Sequence, residues 1–355
     1  MKIIVTKQLI ESILINLQPF LEKKDASQIT AHVFIEVKNH SCIIKATDGE
    51  IGLLIQTDNL IIEEEGSITA NGKKFLDIIR ILKDTDITLE KINENLYIKQ
   101  NKSKFKLPIF NFKNFPKFPL IEKKSKISLD SINLINGFKH ISSSIDSNNP
   151  KYELNGALLN IKNHTTEIVG TDTKRLSVMT INSKSEEQLS LIIPKKAIIE
   201  IQKLFIDKVN IYYDETNLII QNSNYYLFSR LINGKFPNYE RIIPNNIKYT
   251  VTLPKREMID SIKMITTISQ EIKIIFTQES LLFYSLTTDN IEAKTELLIP
   301  TGLSNEFEIN VNSRFLLDFI SQIDSNTFEI ALNEPTLPFV LKDKQFITVI
   351  MPIIV

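Results

Sequence analysis

The sequence predicts an α+β fold built from three repeated modules, each with two helices packed on mainly antiparallel sheets. Three observations carry this. A helical stripe recurs: in residues 195–205, Ala197, Ile198, Ile201, Leu204 and Phe205 wind onto one face of an α-helix, with Lys196, Glu200 and Lys203 opposite. Residues 73–82 repeat it 122 positions earlier with Phe75, Leu76, Ile79 and Leu82, and residues 313–323 repeat it 118 positions later with Phe315, Leu316, Phe319 and Ile323. Secondly, Thr47-Asp48-Gly49, Thr171-Asp172 and Thr288-Asp289 recur at spacings of 124 and 117, each just after a β-rich run. Thirdly, Phe115-Pro116 and Phe236-Pro237 stand 121 apart, each after a strand-like segment (97–108 and 219–231), and a third such segment, 339–352, lies near the last residue. A period of ~120 residues is the size of a domain rather than of a solenoid repeat. The modules are therefore placed at 1–122, 123–245 and 246–355.

Taken in order, residues 3–5 alternate as a strand start, and Thr6 caps a helix over 7–17 whose apolar face is Leu9, Ile10, Ile13, Leu14 and Leu17. Its counterparts are 128–141, with Ile132, Ile135 and Phe138, and 253–265, with Met258, Ile259, Ile262 and Ile265. After a polar loop at 22–28, residues 32–56 alternate and turn at 38–40 and 48–49, which reads as a β-meander. The repeated helix and further strands complete each module. The runs 123–126 and 245–246 mark the linkers.

Composition narrows the function. With 355 residues and 43% hydrophobic content the chain can bury several cores. Lys and Arg total 42, as do Asp and Glu, which by itself argues against a grip on nucleic acid mainly by bulk attraction. The balance shifts along the chain: 17 basic against 16 acidic residues in 1–122, 16 against 12 in 123–245, and 9 against 14 in 246–355. An acidic last module beside weakly basic earlier ones fits head-to-tail contact between copies, or simply unequal solvated surfaces. The single Cys42 lies in an apolar run and reads as a small buried hydrophobe in a reduced compartment. No secretory leader or membrane span is legible, which points to the cytoplasm.

Chemistry is sparse. Phosphate-loop, dinucleotide-fold, zinc-protease and nucleophile-elbow motifs are missing, and His32, His40, His140 and His164 have no partner at metal-ligand spacing. Asp48 and Asp172 read as turn residues that bond their own backbone. No enzyme, cofactor or metal is expected. Lys74, Lys196 and Arg314 share one column in the first helical turn, where a cation opposes the macrodipole. Their target is phosphate or a neighbouring chain's carboxylate, unless each is a tolerated exposed residue.

GTDTKRLSV (170–178), NGKFPNYERIIP (233–244), LNGALLNI (154–161) and the ending VIMPIIV (349–355) together resemble the β subunit of bacterial DNA polymerase III, the sliding clamp family, with the motifs in family order over all 355 residues. The resemblance implies three DNA-clamp-type domains per chain and a head-to-tail homodimer. It implies a six-domain ring with helices lining a pore around double-stranded DNA, held without regard to sequence. A closed ring holds DNA by topology, so zero net charge is no objection. Phe105 and Leu107 on an edge strand of the first module would meet Ile268, and Lys73 or Lys74 would meet Glu292 or Glu296 on an acidic strand, 292–296, of the third. DNA contact falls to Lys24, Asn148, Lys151 and Tyr152.

The resemblance further implies a hydrophobic cleft that takes short linear motifs from the polymerase III α subunit, the clamp loader and repair proteins. Its lining carries over to Leu154, Thr171, Thr173, Lys174, Arg175, Leu176, Pro237, Arg241 and Ile242, with Pro338, Val349, Ile350, Met351, Pro352, Ile353 and Ile354 from the third module and Val355 as the terminus. Branched side chains and Met make such a pocket adaptable. Thr173 and Lys174 stand where the family carries Gly and His, and Ile354 where it carries Arg. Arg175 and Arg241 have an alternative role as structural ion pairs. Two readings compete with the ring: a monomeric peptide-binding scaffold, and an α+β enzyme whose inter-domain cleft centres on Asp172 and Arg175.

Overall fold

The structure, a computed structural model, describes residues 1–25, 27–185, 188–287 and 291–354, so Thr288-Asp289 and Val355 lie outside the described residues. The chain forms two compact units, residues 1–132 with 200–231 and residues 133–199 with 232–355. Among the described residues six α-helices fall two to each third of the sequence: α1 (Lys7–Leu17), α2 (Gly72–Ile81), α3 (Ser131–Ile141), α4 (Lys195–Leu204), α5 (Lys255–Thr266) and α6 (Ser313–Gln322).

In the first unit a five-stranded sheet runs Ile61–Glu64, Lys2–Thr6, Asp86–Ile92, Asn95–Gln100, Ser103–Pro108. An eight-stranded sheet runs Ser125–Lys126, Asn210–Tyr213, Asn217–Gln221, Tyr225–Arg230, Ile51–Thr57, Ser41–Thr47, His32–Lys38, Gly66–Asn71. In the second unit the eight-stranded sheet runs Leu189–Pro194, Gly156–Ile161, Thr165–Thr171, Arg175–Asn182, Phe346–Ile350, Phe339–Asp343, Thr327–Leu332, Tyr249–Pro254. A four-stranded sheet runs Lys294–Leu298, Ser280–Ser285, Glu271–Phe276, Phe307–Asn312. Every pairing is antiparallel. Each large sheet fuses strands of the middle third to strands of a neighbouring third, through Phe228 opposite Gly52 in the first and Val178 opposite Ile347 in the second.

Three of the helices form where caps and periodicity agree. Thr6 accepts the Leu9 amide at 3.3 Å, Asn71 that of Lys74 at 3.0 Å, and Asn312 that of Arg314 at 3.0 Å, each satisfying an amide that the first helical turn leaves orphaned. Behind the caps, Ile10, Ile13, Leu14 and Leu17 of α1 and Phe75, Leu76 and Ile79 of α2 are buried, each contributing about 1.5–3 kcal/mol relative to exposure. The Thr-Asp turns form as expected: Asp48 accepts the Glu50 and Ile51 amides, and Asp172 those of Lys174 and Arg175, all at 3.0 Å.

Several expectations change. α3 starts at Ser131, not 128, because Asp130 accepts the Ile132 amide at 2.9 Å and holds the preceding residues outside the helix. α5 starts at Lys255, since Leu253 and Pro254 belong to a strand paired with Phe328 and Thr327. The segments 97–108, 219–231 and 339–352 are hairpins rather than single strands. Asn101 and Lys344, both at φ +51°, reverse the first and last, and Asn222 accepts the Asn224 and Tyr225 amides in the second. The acidic strand begins at Lys294, which leaves Glu292 ahead of it. Glu200 is buried despite its place opposite the α4 stripe, its carboxylate 2.9 Å from the Lys203 ammonium. On α6, Ile320 is buried while Phe315 stays half-buried.

An aromatic strap, residues 109–120, lies over one face of the first unit's large sheet. Phe110 stacks on His32 with ring centroids 4.1 Å apart, and Phe118 meets Phe228 edge-on at 4.8 Å. The Lys45 ammonium sits 4.4 Å from the Phe34 centroid, with the Phe115 and Phe118 rings beyond it.

Candidate binding groove

Within the second unit four pieces of chain surround a groove of about 600 Å³. They are the turn 171–175 with Leu176, residues 241–245, the loop from Asn333 to Pro338, and the end of the last strand with Val349 and Met351. Its floor belongs to a buried apolar cluster that includes Leu154, Leu158, Leu176, Tyr239, Val340 and Val349. Over that floor, Ile242, Leu337 and Met351 remain 43%, 45% and 43% exposed, which is apolar surface left for something to cover.

The polar groups around the groove hold its walls. Arg175 is buried, its Nε 3.1 Å from Asp172 Oδ2, Nη1 2.7 Å from Asp318 Oδ2, Nη2 donating to the Ser143 carbonyl at 2.5 Å, and its guanidinium 4.5 Å from the Phe315 centroid. Three acceptors and a ring face compensate the buried cation, so the ion-pair role is the one Arg175 fills, and Phe315 leaves the core stripe to face it. Arg241 is exposed and makes no ion pair among the described residues. Behind residues 239–242, the Tyr239 hydroxyl donates to Glu167, and Lys162 bridges Glu167 at 2.7 Å and Glu240 at 2.9 Å. Burial, reinforced by the bond to Glu167, pushes the Tyr239 hydroxyl up to about 12. Burial alone would lower the Lys162 ammonium, but its two carboxylate bonds outweigh this and raise it.

The chain's tail is pinned. The Met351 amide donates to the Lys174 carbonyl at 2.9 Å, and the Ile353 amide to the Asn310 carbonyl at 2.7 Å. Beneath the last strand, Ser144, Ser177 and Thr348 form a buried hydroxyl chain at 2.7 and 2.8 Å.

Of the expected lining, Thr171, Thr173, Arg175, Leu176, Arg241, Ile242, Pro338, Val349 and Met351 meet around the groove. Leu154 and Ile350 are buried, Leu154 in the cluster beneath, and Lys174, Pro237, Pro352, Ile353 and Ile354 stand outside the lining. Ile243, Pro244, Asn245, Asn333 and Leu337 line it unexpectedly. Ile243 and Pro244 lie inside the 233–244 motif, so that motif's own residues were the available signal.

The other candidates scatter. Lys73 and Lys74 are exposed at the start of α2; Phe105 is half-buried and Leu107 buried on the edge strand Ser103–Pro108. Ile268, Glu292 and Glu296 are exposed in the second unit. Asn148, Lys151 and Tyr152 share one exposed loop there, interlocked by Asn149 and Asn155, while Lys24 is exposed in the first unit.

Comparison with known proteins covers the whole chain. The DNA polymerase III beta subunit N-terminal domain matches residues 1–119, the central domain 128–238 and the C-terminal domain 240–354. A Helicobacter pylori (strain J99) protein described as "Beta sliding clamp" is 40% identical over 352 residues, covering 97% of this chain and 94% of that one. The crystal structure of the Helicobacter pylori beta clamp bound to DNA ligase peptide superposes with a TM-score of 0.93 at 39% identity over 100% of both chains. The DNA polymerase sliding clamp of Bacillus subtilis, 18% identical, shares the fold at a TM-score of 0.91, covering 100% of this chain and 99% of that one. No helix among the described residues is long and apolar enough to cross a membrane.

Proposed function

Because this chain belongs to the DNA polymerase III beta subunit family, we propose that it is a ring-shaped DNA sliding clamp in which modules 1–122, 123–245 and 246–355 of two copies, joined head to tail, encircle duplex DNA. It is an accessory processivity factor and not an enzyme. The observation that carries its tethering role is the groove, where uncovered Ile242, Leu337 and Met351 stand over an apolar floor between rigidly bonded walls. That surface suits an extended peptide with branched apolar side chains. Its ligands are short motifs of the polymerase III α subunit, the clamp loader and other partners, a DNA ligase among them, in the cytoplasm.

Two open strand edges support the homodimer. Ser103–Pro108 ends the five-stranded sheet and carries Lys104 and Lys106; Lys294–Leu298 ends the four-stranded sheet and carries Glu296, with Glu292 just before it. Unpaired edges of opposite charge are templates for strand addition. In the proposed interface Phe105 meets Ile268 of the second copy and Lys73 or Lys74 meets Glu292 or Glu296, while Leu107 holds its strand from behind. Lys24, Asn148, Lys151 and Tyr152 touch phosphate and sugar without reading sequence.

Two measurements test this. A fluorescein-labelled DNA ligase peptide should gain anisotropy on titration with the full chain, and a Met351→Ala variant should bind it roughly tenfold more weakly. On a nicked circular plasmid, the loaded protein should stay until the circle is linearised. Retention that survives linearisation, or a monomeric mass in solution, would remove the ring.

A further inference from the structure

The Thr-Asp turn is built twice with matching hydrogen bonds but a different residue at its tip. In the first copy the Gly49 amide donates to Thr47 Oγ1 at 2.9 Å, and Thr47 Oγ1 donates to the Ile51 carbonyl at 2.8 Å. In the second the Thr173 amide donates to Thr171 Oγ1 at 3.1 Å, and Thr171 Oγ1 donates to the Arg175 carbonyl at 2.7 Å. Gly49 takes φ +94°, and Thr173 takes φ +74°. Glycine adopts this left-handed region freely, whereas a β-branched residue is strained there. Among the described residues Thr173 is the one β-branched residue at positive φ; the others are asparagine, histidine or lysine.

Space does not explain the difference, because a Cβ at Gly49 would meet nothing within 4 Å. Position does: the second turn is a wall of the groove and Thr173 lines it, exposed. The neighbouring polar side chains of this wall are committed, Thr171 to the Arg175 carbonyl and Arg175 to Asp172, Asp318 and Ser143. The Thr173 hydroxyl has no hydrogen bond among the described residues. An extended peptide pressed onto an apolar floor carries amides and carbonyls that must find partners.

We infer that Thr173 is a specificity-determining residue, whose strained backbone aims a free hydroxyl at the main chain of an extended peptide seated in the groove. This rests on the peptide-binding reading above. Strain held at a binding site and relieved by glycine trades stability for recognition.

Three variants of the full chain separate strain from hydroxyl. Thr173→Gly should raise the unfolding midpoint by about 2–4 °C and weaken the labelled DNA ligase peptide about 3- to 10-fold, the worth of one hydrogen bond. Thr173→Ser should bind within about twofold of wild type. Thr173→Val, equally branched but without the hydroxyl, should bind as weakly as Thr173→Gly with no gain in midpoint. Wild-type affinity in the Gly or Val variant, or no stability gain in the Gly variant, overturns the inference while leaving peptide binding intact. Absence of binding by the wild-type chain instead overturns the peptide reading, and the inference with it.

Discussion

His32 shows what burial does to a single side chain. It is 2% exposed, stacked on Phe110, and its Nδ1 has no hydrogen-bond partner among the described residues. Burial lowers its pKa from 6.5 to about 4. The sign follows from proton counting: above pH 6.5 both states are neutral, and below it the unfolded chain takes up a proton that the folded one refuses until about pH 4. Stability should therefore fall as the pH drops through that window, by about 2 kcal/mol at pH 5. Urea unfolding at pH 7.5 and 5 should show the loss in wild type, and His32→Phe, which keeps the stack without the titration, should lack that part of it. Cys42, fully buried with its thiol pushed up to about 12 by burial, behaves as the small hydrophobe its apolar neighbours predicted. For Arg175 the sequence left a groove-lining role and a structural ion pair both open, and its partners were not legible, since they include Asp318, 143 positions away.

Elements were the most legible scale. The three stripes became helices because apolar spacing and burial coincide, reinforced by the Asn71 and Asn312 caps in the first and third, and the errors fell where a neighbour competed for the boundary, as at Asp130 and Pro254. Replacing the Asn312 cap with alanine should cost about 1 kcal/mol, seen as a lower urea midpoint with the mass in solution unchanged from wild type. The strand-like segments 97–108, 219–231 and 339–352 carry no legible reversal because the chain turns on asparagine and lysine, where glycine would have announced it. The tail is an element too, although it has no regular structure. Removing residues 351–355 deletes Met351 from the groove and both amide anchors, so peptide binding should vanish while sedimentation still reports the proposed dimer. Loss of both would make the tail structural rather than part of the ligand site.

For the whole molecule, zero net charge is no objection to the proposed ring, because enclosure rather than bulk attraction would hold the DNA. Contacts with phosphate then need only be few and weak. If Lys24 and Lys151 make two of them, Lys24→Ala with Lys151→Ala should flatten the plot of log affinity against log salt by up to about 2, with dimer mass unchanged. An unaltered slope would take both residues off the DNA-contacting surface. The acidic last module and the lysine-bearing edge of the first give the proposed closure its charge complementarity, and raised salt should weaken it.

From sequence alone came the α+β modules in triplicate, the helical faces, the Thr6 cap, the two Thr-Asp turns and the family, because each rests on residues within a few positions of one another or on motifs read as strings. Only the tertiary structure decided which expected residues line the groove and which others join them, the partners of Arg175 and the strain at Thr173. Those depend on strand register across the second unit's sheet, which sets Arg175 opposite Ile350 and Ser177 beside Thr348, 171 positions away. A shift of one residue in that register would turn the lining side chains on those strands, such as Leu176 and Val349, to the other face, and no local periodicity specifies it.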